Sequence, residues 1–151
     1  MTQDRHFKPI CESMKKLLVE TGAKDILVEI TAYGKFPNEL LNKLGETGSF
    51  LGRGFSPDIC CFYDSKFITI EVKDSELNIQ DIYQAKQYAE LIYAEKGFLI
   101  STVGFPTRIL KFINIRPDIL NYGDGKQLYI GLFDENEKTI LPSKWIPISP
   151  F

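Results

Sequence analysis

A chain of 151 residues, 44% hydrophobic and 25% charged, suits one soluble globular domain over 1–151 that buries its own core. Its net charge of −2, from 18 basic and 20 acidic residues, argues against tight, nonspecific binding of polyanions by the whole surface, while leaving room for a local basic groove. Three cysteines and one histidine, His6 near an N-terminus expected to be loose, favour neither a disulfide framework nor a His-dependent centre.

No apolar run approaches the roughly 18 residues of a membrane-spanning helix. Met1 to His6 lack the apolar core of a signal peptide. An intracellular, cytoplasmic protein with no membrane partner is expected.

Pro9 to Thr21 places Ile10, Met14, Leu17 and Leu18 at helical spacing, with Gly22 as a stop. Glu12 falls far round from that stripe, beside Lys16. Ile26 to Ile30 reads as an apolar strand interrupted by Glu29, which shares a face with Leu27 and Thr31. Gly45, Gly48, Gly52 and Gly54 then make a flexible connector. Lys35, Lys43 and Arg53 in this region are candidate phosphate contacts, and Arg53 is the one best placed as a substrate clamp, because its loop leads straight to Asp58.

Residues 57–63 and 67–73 are two apolar segments rich in β-branched and aromatic residues, joined by the turn-forming Asp64-Ser65-Lys66. They read as a β-hairpin. Glu71 and Lys73 project on one face with Thr69, opposite Ile68, Ile70 and Val72. If the loop is Asp64-Ser65 alone, Asp58 opposes Glu71, with Cβ atoms roughly 4.5–5.5 Å apart. A three-residue loop would shift that register by one.

Residues 78–96 read as a helix starting near Asn78, on which Gln80, Gln84 and Tyr88 stack at i, i+4 and i+8. Lys86 on this helix is a phosphate contact or an ordinary solvated charge. Residues 97–103 form a buried strand, and residues 108–113 fit helix or strand alike. Residues 128–133 and 139–141 form a further hairpin around a polar turn. The apolar tail, 145–151, carries prolines that exclude a helix or central strand, so it packs across a surface or onto a partner.

Asp58, Glu71 and Lys73 carry the chemistry. Two carboxylates held together on a buried sheet repel, and burial makes both harder to ionise unless a cation compensates. A hard, oxygen-seeking ion such as Mg²⁺, with Mn²⁺ as substitute, accepts one or two carboxylates and keeps several waters. It would acidify a bound water and stabilise charge on a phosphoryl oxygen. Lys73 would orient or deprotonate that water, or hold the phosphate. The set fits phosphodiester hydrolysis. A second Pro-Asp, at Pro117-Asp118, acts as an internal control: no acidic-x-Lys on an apolar strand follows it.

Pro57-Asp58 followed by Glu71-Val72-Lys73 resembles the signature of the PD-(D/E)xK nuclease superfamily, the restriction-endonuclease-like phosphodiesterases. The resemblance spans roughly residues 7–103. It implies an α/β fold with a mixed central sheet flanked by helices, and Asp58, Glu71 and the Val72 carbonyl as metal ligands with Lys73 assisting. Gln84 to Tyr88 resembles the Q-x-x-x-Y motif of the RecB-like branch, which implies substrate or bound-water contacts for Gln84 supported by Tyr88. Many members place an acid on the first helix; Glu12 is nearest to that pattern, with Glu29 as rival. Three cysteines cannot supply the four thiolates of the iron–sulfur cluster found in some relatives.

Archaeal Holliday junction resolvases are similar in size and carry the same three residues in order, but they are usually basic. The expectation is a Mg²⁺-dependent deoxyribonuclease, with repair or recombination among its settings; cutting both strands would favour a homodimer. The alternatives are a catalytically inactive nucleic-acid-binding protein on the same fold, or an assembly protein that oligomerises through its apolar tail.

Overall fold

In a computed structural model, residues 2–51 and 55–151 are described. The strands are β1 (Leu27–Ile30), β2 (Ile59–Tyr63), β3 (Lys66–Lys73), β4 (Lys96–Ser101), β5 (Asn121–Tyr122), β6 (Lys126–Asp134) and β7 (Thr139–Ile140). The helices are α1 (Phe7–Glu20), α2 (Asn38–Leu44), α3 (Ile79–Leu91) and α4 (Thr107–Ile115). The fold is α/β, with a mixed seven-stranded sheet in the order β1-β2-β3-β4-β6-β5 and β7 paired to β6. β1 to β3 run antiparallel, and β3, β4 and β6 are mutually parallel.

Alternation along the strands divides the core between the two faces. Ile59, Cys61, Ile68, Ile70, Val72, Phe98 and Ile100 pack against Phe7, Ile10, Met14 and Leu18 of α1. On the other face, Leu99, Leu128 and Ile130 meet Ile82 and Ala85 of α3 and Ile109 and Ile113 of α4. Cys60 and Phe62 meet Leu40 and Leu44 of α2 and Ala89 of α3. Gly97 on β4 sets how closely α3 approaches: a Cβ there would stand 2.9 Å from Ala89 Cβ and 3.0 Å from Leu128 Cδ1. Any side chain at 97 would lift the helix that overhangs Glu71.

α3 is shorter than its apolar pattern suggests. It ends at Leu91 because Tyr93 adopts φ 54° while the Ala94 and Tyr93 amides donate to the Ala89 and Glu90 carbonyls, a Schellman closure. The ambiguous segment at 108–113 is helix α4, entered from Pro106. The tail lies along β6, where Ile146 and Ile130 exchange both backbone hydrogen bonds, at 2.9 and 2.8 Å. Trp145 is buried over Gly131, where a Cβ would clash with its ring.

The N-terminus is not loose. His6 is buried, its Nε2 lies 3.1 Å from Asp74 Oδ1, and its ring stands edge-on to Phe133. The sequence expectation missed this because the partners lie some seventy residues and more away along the chain. Among the described residues, no helix is long and apolar enough to cross a membrane.

Candidate active site

Local turn chemistry fixes the site. Asp64 and Ser65 both adopt positive φ, 47° and 63°, as a two-residue type I′ hairpin turn requires. Tyr63 therefore pairs with Lys66, and the ladder runs to Ile59 opposite Ile70. One step further out, Asp58 faces Glu71 on the side of the sheet covered by α3.

Asp58 lies just beyond the ladder, so its amide is free of the sheet and donates to Glu71 Oε1 at 2.9 Å. In return Asp58 Oδ2 accepts the Val72 amide at 2.8 Å. Each carboxylate thus spends one oxygen on backbone across the hairpin. Thr31 locks the approach to Asp58, its amide donating to the Asp58 carbonyl at 2.9 Å and its hydroxyl to the Pro57 carbonyl at 2.6 Å.

Both acids are buried, Asp58 at 9% and Glu71 at 7% exposure. Burial pushes the Asp58 carboxyl up to about 6; the Val72 amide and Lys73 oppose the rise and Asp4 adds to it. Glu71 is raised well above the ordinary glutamate range, first by burial and then by the charge of Asp58. The pair resists carrying two negative charges, and a nearby cation would relieve it.

Lys73 projects to the same face and meets Asp81 of α3, Nζ to Oδ1 at 3.1 Å. Asp81 also closes the helix N-terminus: its Oδ2 accepts the Asn78 amide at 2.9 Å and its own amide donates to Asn78 Oδ1 at 3.0 Å. This reciprocal capping box fixes the carboxylate that holds the lysine. Further along α3, burial first and then the charge of Glu71 raise the pKa of the Tyr88 hydroxyl, and the Gln84 side chain opposes the rise. Gln80, Asp81, Tyr83, Gln84 and Gln87 line a groove of about 530 Å³ over this edge.

No protein-family model, curated protein or solved structure matches the chain.

Several expected residues take other places. Glu12 is exposed on α1, and α1 covers the opposite sheet face, so it is not brought to the acid pair. Glu29 sits on β1 opposite Cys60, and its charge acts on the Cys11 and Cys61 thiols. The third acid near Asp58 is instead Asp4, in the 3-10 turn Thr2–His6. Lys86 donates to the Ile119 carbonyl at 2.7 Å and lies 5.1 Å from the Tyr83 ring centre, which makes it a structural tie and not a free phosphate contact. Lys43 rests over Phe62. Arg53 lies outside the described residues.

Sequence reasoning missed Asp4 and Asp81. Asp81 was discoverable, because Asn78-x-x-Asp81 has capping-box spacing. Asp4 carries no local signal.

The donor set fits a hard divalent ion. Two hard oxygen anions are present, each with one oxygen on a backbone amide, and Mg²⁺ commonly takes one or two protein carboxylates and fills its sphere with water and phosphate. Among the described residues no cluster of three His, Cys, Asp or Glu side chains forms a ready-made metal cage, so any ion would depend on such outside ligands.

Proposed function

We propose that this protein is a Mg²⁺-dependent nuclease that hydrolyses phosphodiester bonds in DNA, built on a restriction-endonuclease-like core of the PD-(D/E)xK type. One observation carries the reading: Asp58 and Glu71 are buried face to face across a hairpin, both disfavoured as anions, with the Lys73 amine on the same surface. A buried like-charge pair of this kind is costly to keep without a ligand.

Asp58 and Glu71, with the Val72 carbonyl, would hold the ion, which when bound supplies an acidified water and charge stabilisation at phosphorus. The Asp58–Glu71 cross-brace keeps both carboxylates in place before substrate arrives. Asp81 orients Lys73, which would position the attacking water or hold the phosphate. Gln84 and Tyr88 border the same edge and would contact the strand.

A second reading, a non-cleaving nucleic-acid-binding protein, is favoured by the Lys73–Asp81 contact of 3.1 Å, which occupies the amine. Cleavage assays with Mg²⁺ on single-stranded, duplex and branched DNA and on RNA separate the two. The nuclease reading expects Asp58→Ala and Glu71→Ala each to lose several orders of magnitude in rate. Wild-type cleavage by either variant, or none by the native protein with any divalent ion, would reject it.

A further inference from the structure

The surroundings of the acid pair bear on which form of nucleic acid it takes. Three large aromatic side chains are exposed on the segments that lead to it or carry its partners: Tyr33 at 62%, Phe55 at 47% and Tyr83 at 49%. Tyr33 follows Thr31, which is hydrogen-bonded to Asp58. Phe55 precedes Asp58 by three residues, and Tyr83 shares a groove with Asp81 and Gln84. Two of the rings are held in position. The Tyr33 hydroxyl donates to Asp4 Oδ2 at 2.9 Å and its ring stands edge-on to Phe7; Tyr83 carries the Lys86 ammonium on one face. Exposed rings that are already fixed lose little freedom when a planar group stacks on them.

Several of the cations are already engaged. Lys73 is paired with Asp81, Lys86 with the Ile119 carbonyl, Arg116 with Asp118, and Lys43 rests on Phe62. Duplex binding draws on many free cations along the phosphates, whereas an unpaired strand also binds by stacking its bases on aromatic side chains. A net charge of −2 fits the second mode better.

We infer that this site takes unpaired polynucleotide, single strands or frayed ends, with bases stacked on the rim formed by Tyr33, Phe55 and Tyr83 around Asp58 and Glu71. The inference rests on the proposed nucleic-acid substrate and is separable from cleavage. The test is fluorescence anisotropy with a labelled oligodeoxythymidylate and a duplex of equal length, in Ca²⁺ or EDTA at two salt concentrations. The single strand should bind at least about tenfold more tightly than the duplex. Tyr83→Ala and Phe55→Ala should each weaken single-strand binding roughly five- to 150-fold, and Tyr83→Phe should restore it, which controls for misfolding.

Duplex binding equal to or tighter than single-strand binding, or alanine variants that bind as wild type does, would overturn the inference even if Asp58-dependent cleavage were found. Ring-dependent single-strand binding without any cleavage would uphold it and sink the nuclease reading alone. Failure to bind either probe would overturn both.

Discussion

Adjacent residues at the end of β3 belong to two ionic clusters of opposite character. Lys73 points toward α3 and joins Asp58, Glu71 and Asp81. Asp74 points toward the N-terminal turn and joins His6, Arg5 and Thr102. In the second cluster every partner is complementary. The Asp74 carboxyl is held below the usual carboxylate range, first by the Thr102 hydroxyl and then by His6 and Arg5. In the first cluster two acids are pressed together and both are pushed up. A protein built for stability alone would resolve such a conflict, as it has done one residue away. The contrast separates an ion-pair fastening from a frustrated pair of buried acids, which is what the proposed metal site needs.

The largest expected effect breaks the first cluster. Asp58→Ala or Glu71→Ala should reduce cleavage by roughly a thousandfold or more, read in single-turnover assays. The second cluster should respond in stability instead. Asp74→Ala leaves His6 buried without its partner and should cost about 1–3 kcal/mol in urea unfolding.

The clusters should also give stability opposite dependences on pH. A carboxyl raised from 3.8 to about 6 holds protons in the folded state that the unfolded chain has released. Stability without metal should therefore fall as pH rises from about 4 to about 6, by on the order of 2–3 kcal/mol for Asp58, and keep falling above that range as the raised Glu71 carboxyl also loses its proton. Asp58→Asn should flatten that fall. Asp74, with a lowered pKa, contributes stability above the ordinary aspartate range that is lost as pH falls through its folded-state value. Melts in EDTA across this range would show whether the two slopes have opposite sign.

Smaller effects sharpen the boundary of the site. Asp81→Asn keeps a cap acceptor but removes the charge facing Lys73, so stability should change by less than about 1 kcal/mol while the pH profile of cleavage shifts. Glu12→Ala, on the far face of the sheet, should alter stability by no more than about 0.5 kcal/mol and leave cleavage unchanged.

The hairpin site was legible because its determinants are local. Turn residues at Asp64-Ser65 set the register, strand alternation put Glu71 and Lys73 on one face, and Asn78 announced the helix above them. The division of the sheet into two covered faces was not legible, since periodicity does not say which helix covers which face. For that reason Glu12 was a reasonable candidate from the sequence and is misplaced in the fold. Asp4, and the His6–Asp74 fastening beside it, depend on contacts between distant parts of the chain. Neither leaves a pattern in neighbouring residues.

Isothermal titration of Mg²⁺ into the metal-free protein near pH 6, in two buffers of different ionisation enthalpy, tests the central claim most directly. An ion seated between Asp58 and Glu71 must displace protons that their raised pKa values retain. Wild-type protein should bind with release of about one proton or more per ion, and Asp58→Asn and Glu71→Gln should lose both the binding and the release. Binding without proton release, or binding unchanged in those variants, would contradict the account.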